Sequence, residues 1–205
     1  ETTLPQLSEE QSRALRAAKQ GSNLFISGGA GVGKSFVTNL IVQELKKMHK
    51  RVQITASTGI AAVNVSGQTI HSFAGVGLGI ESKQFLGDKA LKSKQTRDRW
   101  RSTDVLIIDE ISMIKADLFE KVEHVAVVTR TNFGSKNDTV TAAGRRAGPF
   151  AGVQVIVVGD FLQLPPVVER GDSRGGAKFA FESKLWDDCG FVNILLSKVF
   201  RQSDA

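Results

Sequence analysis

The chain has 205 residues, 41% of them hydrophobic and 23% charged, with a formal net charge of +6. This is ordinary for one soluble globular domain with a sizeable core. No apolar run approaches the roughly 20 residues of a membrane span, and the single cysteine, Cys189, rules out an internal disulfide. The charge is lopsided: the first 100 residues hold 14 Lys and Arg against 7 Asp and Glu. The densest run, "KQFLGDKALKSKQTRDRWR", carries Lys83, Lys89, Lys92, Lys94, Arg97, Arg99 and Arg101. It reads either as a solvated face or as a contact for a polyanion such as nucleic acid. Because the chain opens at Glu1 rather than Met, a fragment of a longer protein is expected, with any targeting signal outside it.

In chain order, "LSEEQSRALRAAKQG" reads as a helix, with Ser8 as N-cap, Gln11 three residues on as in a capping box, and Gly21 as the stop. "NLFIS" is a short buried strand, followed by a Gly-rich loop and then the helical spacing of "SFVTNLIVQELKKMHK". "RVQITAS" and "DVLIID" are further strands. "ADLFEKVEHVAVVTR" puts Leu118, Val122, Val125, Ala126 and Thr129 on one helical face. "VQVIVVGD" and "FVNILLS" complete the strands. Apolar strands alternating with helices predict an α/β fold with a parallel sheet flanked by helices on both faces. The whole chain, 1–205, reads as one domain. Residues 131–149 and 169–178 are polar and lack periodicity, as exposed loops do. The pair Arg145–Arg146 in the first loop could touch an acidic partner or simply solubilise it.

Two motifs point to a nucleotide. Residues 28–35, "GGAGVGKS", fit G-x-x-x-x-G-K-[ST] between a strand and a helix. Gly28, Gly29, Ala30, Gly31, Val32 and Gly33 let backbone N–H groups turn toward phosphate oxygens, and the helix beginning near Lys34 adds its positive end. Lys34 reaches the β- and γ-phosphates of ATP, Ser35 can ligate Mg²⁺, and Phe36 follows at once. At the end of "VLIID", Asp109 can hold Mg²⁺, and Glu110 can polarise an attacking water as general base. A hydrolase has more use for that adjacent Glu than a switch or a small-molecule kinase.

The blocks "LSEEQ", "GGAGVGKS", "TASTGIAAVNVSGQTIHSFAGVGLG", "IIDEISM", "GDFLQLPPV" and "LSKVFRQ" occur in this order. Together they resemble the successive motifs of the Pif family of superfamily-one DNA helicases, the RecD-like branch that moves 5′ to 3′. The resemblance runs from about residue 7 to 202. It implies a RecA-like first motor domain of a P-loop NTPase, with ATP and Mg²⁺ as cofactors and single-stranded, duplex or structured DNA as partner. It also implies replication, repair, recombination and telomere maintenance in the nucleus or mitochondrion. No membrane partner is expected, and a fragment of this kind is expected to be monomeric.

Residue by residue, the resemblance implies that Gln11 recognises adenine, although its place in a capping box accounts for it equally. Gln163 would contact the γ-phosphate, with Asp160 beside the same crevice, and Arg201 would stabilise charge on the transferring phosphoryl group. The small polar side chains around "TASTGIAA" suit phosphate and sugar contacts. Here the resemblance implies one contact from Thr58 and Gly59 and another from His71, with Ser72 next to it. Phe73 and Phe161 could stack on bases, though Phe73 also fits a core position, and Pro165–Pro166 makes a rigid turn. "ADLFEKVEHVAVVTR" resembles the family's helix after the acidic block. The chain then departs from the pattern, with about fifteen additional residues before a turn reading "PFAG", 149–152. Two other readings remain open: a P-loop switch or kinase that ignores DNA, and a DNA-binding scaffold that keeps the loop for structure only.

Overall fold

A computed structural model describes residues 7–131, 148–163, 165–166 and 178–199. Arg201, Arg145–Arg146 and nearly all of the two polar loops lie outside the described residues.

The helices start where the chain supplies caps. α1 (Glu9–Lys19) has the capping box in full: the Gln11 N–H donates to Ser8 Oγ at 3.2 Å, and the Ser8 N–H donates to Gln11 Oε1 at 3.0 Å. β1 (Leu24–Ser27) leads through the Gly-rich loop into α2 (Lys34–Lys47), and β2 (Val52–Ala56) follows. The stretch from 59 to 101, for which the sequence predicts no elements, is largely helical. It holds α3 (Gly59–Asn64), the two-residue strand β3 (Gln68–Thr69), α4 (Ile70–Ala74), α5 (Lys83–Lys92) and α6 (Lys94–Arg101). Each of these four helices begins behind a hydroxyl N-cap: Thr58, Thr69, Ser82 and Ser93. Then come β4 (Val105–Asp109), α7 (Ala116–Thr131), β5 (Gln154–Val158), α8 (Lys184–Asp188) and β6 (Val192–Leu195).

The six strands form one wholly parallel sheet in the order β3-β2-β4-β5-β1-β6. Central strands covered on both faces are apolar where they are buried, as β4 is from Val105 to Ile108 and β5 from Val155 to Val158. Ile107, Ile156 and Val158 join Leu24 and Ile26 against Ala14 and Ala18 of α1 and Val37, Ile41 and Leu45 of α2. Leu106, Ile108, Val155 and Val157 face the opposite way, toward Phe73, Leu86, Trp100, Phe119 and Val122 from α4 to α7. This is the expected RecA-like α/β layering. Among the described residues, no helix is long and apolar enough to cross a membrane.

Polar side chains at the edges of the core add further ties. Arg130 of α7 donates to the carbonyls of Trp100, Thr103 and Ala151, closing the end of α6 against the "PFAG" turn. In that turn Phe150 (φ 55°) and Ala151 (φ 49°) both adopt the left-handed conformation, which L-residues visit at a cost. On the outer face Arg51 forms a two-pronged ion pair with Asp104, at 2.7 and 2.9 Å, and pulls its carboxyl down to about 2.

Candidate nucleotide and nucleic-acid site

In open α/β sheets ligands bind beyond the carboxyl ends of the strands. Here the ends of β1, β5 and β4 stand side by side, so the Gly-rich loop, Gly159–Asp160 and Asp109–Glu110 gather on one edge. The loop depends on its glycines. Gly28 sits at φ 145°, and a Cβ there would lie 2.4 Å from the Leu196 carbonyl oxygen. Gly33 is the N-cap of α2 at φ 84° and has no side chain to cap the helix. The first N–H groups of α2 therefore keep the donor capacity that an anion takes. Lys34 lies back across the loop, its Nζ donating to Gly28 O at 2.6 Å and Gly29 O at 2.9 Å. Ser35 and Phe36 are exposed at the start of α2.

At the end of β4, the Glu110 N–H donates to Asp109 Oδ1 at 3.0 Å. Burial raises the Asp109 carboxyl above its usual range. The bond from Glu110 N–H and the charge of Lys34 pull it back down, while the charge of Glu110 pushes it up. Glu110 itself adopts the left-handed conformation, φ 53° and ψ 47°. Such a conformation in a non-glycine residue costs about 1–3 kcal/mol and must be held by its surroundings; it turns the chain sharply at the proposed general base. Gly159 makes room for that turn: a Cβ there would meet both Cγ2 and N of Ile111 at 3.0 Å. The sequence reading gave this glycine no role.

For Mg²⁺ the residues offer Asp109 and Ser35, both hard oxygen donors. Among the described residues there is no cluster of three or more His, Cys, Asp or Glu that could hold a metal. Two protein oxygens suit an ion that takes its other ligands from phosphates and water, and a divalent cation would relieve the cost of ionising the buried Asp109. The site fits the ion.

The remaining nucleotide residues are held in specific ways. Gln11 is 2% exposed, with its amide oxygen engaged by Ser8. Ser197 Oγ donates to Glu10 at 2.9 Å, and Val199 lies beside Gly31, so the segment after β6 runs past α1 and the loop toward Arg201. Gln163 is exposed, and its Nε2 donates to Asp160 Oδ2 at 3.0 Å while the other Asp160 oxygen accepts from the Leu162 N–H. Asp160 thus orients the glutamine.

Next to this edge lies a cleft of about 330 Å³, lined by Ser57, Thr58, His71, Leu78, Met113 and Lys121 among others. Thr58 and His71, expected from the resemblance to make two separate contacts, both line this cleft; Gly59 and Ser72 are exposed outside its lining. Thr58 Oγ1 also caps α3, accepting from Ala61 N–H at 3.2 Å. His71 is half-buried, which lowers its pKa and leaves it a neutral hydrogen-bonding group near pH 7. Lys121, absent from the sequence reading, is 7% exposed, and its Nζ donates to Gly79 O at 2.8 Å and pairs with Asp117 at 2.5 Å. It thereby fastens the loop after α4 to α7. The spacing of Asp117 and Lys121, i and i+4, was the available signal. The cleft and the nucleotide edge are joined directly: the Ser57 N–H donates to Asp109 O at 3.3 Å, and Ser57 Oγ contacts Met113 Sδ at 3.6 Å.

Both candidate stacking rings are engaged within the fold. Phe73 is fully buried against Trp100 with centroids 4.7 Å apart. Phe161 lies within 6 Å of Phe25, Phe179, Phe181 and Trp186. The basic run also divides: Arg97, Arg99 and Arg101 are half-buried and donate to Leu91 O, Gln68 Oε1 and Thr129 O.

Comparison with known proteins gives a consistent picture. The family model described as PIF1-like helicase matches residues 6–205. The chain is 43% identical over 199 residues to the ATP-dependent DNA helicase PIF1 of Emericella nidulans, covering 95% of this chain and 25% of that relative. It superposes on the crystal structure of Pif1 helicase from Candida albicans with a TM-score of 0.80 and 40% identity, over 97% of this chain and 41% of that one. The Bacteroides Pif1 structure in complex with ADP-AlF3 and ssDNA gives a TM-score of 0.75 at 29% identity, over 98% and 44%. The chain thus spans about a quarter of the curated relative's length and under half of each solved chain.

Proposed function

Because the chain belongs to the PIF1-like helicase family, we propose that it is the ATP-hydrolysing motor domain of a helicase that moves 5′ to 3′ along single-stranded DNA. The observation that carries this reading is the junction of the two sites. A catalytic carboxylate pair and a polar cleft share the ends of adjacent strands, tied by the hydrogen bond from Ser57 N–H to Asp109 O. A change at the nucleotide edge is then a change at the cleft.

In this reading, the backbone of Gly28–Gly33 and the start of α2 cradle the ATP phosphates, and Lys34 leaves the Gly28 and Gly29 carbonyls to pair with the β- and γ-phosphates. Ser35 and Asp109 would hold Mg²⁺, whose charge would offset that of the phosphate oxygens. Glu110, fixed by its turn, accepts a proton from the attacking water. Gln163, oriented by Asp160, senses the γ-phosphate, and Arg201 stabilises the charge that develops on it, an effect worth about 10³ to 10⁵ in rate where such fingers are known. Gln11 faces adenine with its amide nitrogen, since its oxygen is engaged. Thr58, Gly59, His71 and Ser72 contact sugar and phosphate without reading sequence. The Bacteroides relative is described with ADP-AlF3 and ssDNA together, which supports both ligands for this fold. Strand polarity gives the test. The full-length protein should unwind a 5′-tailed duplex with ATP and leave a 3′-tailed duplex intact; equal action on both, or on neither, would overturn the proposal.

A further inference from the structure

Once Arg97, Arg99 and Arg101 are assigned to carbonyl and amide oxygens of the fold, the exposed part of the basic run is lysine. On α5, Phe85, Lys89 and Lys92 stand at i, i+4 and i+7, on one face of the helix. The opposite side buries Leu86, Gly87 and Ala90. Lys89 and Lys92 are exposed, and Phe85 keeps 54% of its surface in solvent. The ion pairs among the described residues involve Lys19, Lys47, Arg51, Lys83 and Lys121; neither Lys89 nor Lys92 is in one. Of the nearby acids, Asp88 accepts from Gln84, Glu120 pairs with Lys83, and Asp98 is on α6. The stripe is also continuous with the cleft. Lys89 Nζ lies 3.9 Å from where Gly77 would carry a Cβ, and the residues following Gly77, from Leu78 to Ile80, line the cleft.

An exposed aromatic at the end of a row of lysines outside any ion pair suits a nucleic-acid single strand, whose unpaired bases stack on a ring while its phosphates meet ammonium groups. A duplex, with its bases stacked inside, would use the lysines and leave the ring idle. We propose that Phe85, Lys89 and Lys92 form a second contact for single-stranded DNA, continuing the strand's path out of the cleft across the Gly77–Ile80 loop. This inference rests on the cleft being the strand site, and it adds a surface that none of the motif residues provides.

The test compares two lengths of oligo-dT with the full-length protein, by fluorescence anisotropy over a salt series. A short oligomer, sufficient only for the cleft, should bind wild type and the Lys89→Gln/Lys92→Gln variant equally. A longer oligomer should bind wild type more tightly, and the variant should lose that gain. Its log K against log[salt] slope should be shallower by about 1.4, for two phosphate contacts on a single strand. Phe85→Ala should weaken the longer oligomer by about tenfold without altering the slope. An unchanged slope and unchanged length dependence in the variants would overturn the proposal. So would a loss that appears only with blunt duplex, which would assign the lysines to a double-stranded arm. If wild type bound neither oligomer, the cleft reading itself would fall, a result distinct from these.

Discussion

Replacing Gly159 by alanine tests whether the turn at Glu110 is held in place by its neighbours. The added methyl carbon would lie 3.0 Å from Ile111 Cγ2, 3.0 Å from Ile111 N and 3.5 Å from Ser112 N. Carbon contacts relax at about 3.5–4.0 Å, so roughly half an ångström or more must be found. β5 cannot supply it readily. It is paired with β4 and β1 on its two sides, and the Gly159 N–H donates to Ile26 O at 3.1 Å. The Ile111–Ser112 turn must move instead, carrying Glu110 with it. Misplacing a catalytic group by about 1 Å can cost about a hundredfold, so a shift of half that size should lower kcat about tenfold. Overpacking should also destabilise by about 1–3 kcal/mol, or about 2–12 °C in Tm for a domain of this size. Nucleotide affinity should change little, because the loop after β1 is untouched. The assays are steady-state ATP hydrolysis with saturating single-stranded DNA, nucleotide titration and thermal melting of the same preparations. A kcat within twofold of wild type together with an unchanged Tm would refute the reasoning.

Other substitutions probe the cleft and the scaffold. Lys121→Met removes the donor to Gly79 O and should weaken single-strand binding about tenfold, while costing about 1–3 kcal/mol for the lost charged bond; equal binding by anisotropy would show that the loop needs no fastening. His71→Gln should leave single-strand affinity at pH 7.5 within about twofold, because burial keeps the imidazole neutral there. In wild type the lowered pKa means that the unfolded chain takes up the proton first. Stability should therefore fall as pH drops below about 6.5, and the His71→Gln variant should lose that part of the slope in urea melts. Asp104→Asn tests the Arg51 pair. Its carboxyl sits at about 2 in the fold against an ordinary 3.8, so its stabilisation is present above 3.8 and lost as pH falls through 2. The pair is largely exposed, so the gap between wild type and variant at pH 7 should stay below about 1 kcal/mol, and it should narrow as pH falls below 3.8 and close only once pH is well under 2. A gap that persists there would assign the effect to something other than charge.

How much could be read in advance differed with the kind of information each residue carries. Gly28, Gly33, Lys34 and Asp109 were legible because their chemistry requires particular residue types at a fixed spacing, and the structure gathers them on one edge. β4 and β5 were legible because strands buried on both faces carry unbroken apolar runs, here residues 105–108 and 155–158. The stretch from 59 to 101 was opaque for a physical reason. Its helices are short, from five to ten residues, and what starts each is a single hydroxyl, at Thr58, Thr69, Ser82 and Ser93. Thr58, which reads as a DNA contact, is also a cap. The basic run was ambiguous because charge alone does not separate Arg99, whose guanidinium also lies 5.7 Å over the Phe73 ring, from an exposed lysine. Lys121 was hidden because its partner, the Gly79 carbonyl, is 42 residues away in sequence. Gly159 was hidden because its requirement comes from the backbone of another strand's turn.

In the proposed mechanism Glu110 acts as general base for ATP hydrolysis in answer to a single strand in the neighbouring cleft. Steady-state ATP hydrolysis by the full-length protein, with and without single-stranded DNA, for wild type and Glu110→Gln, tests it directly. The strand should strongly stimulate wild type, and the Glu110→Gln variant should bind nucleotide and strand but turn over at least a hundredfold more slowly, as happens when a general base is lost. Hydrolysis indifferent to DNA, or undiminished in Glu110→Gln, would contradict this mechanism.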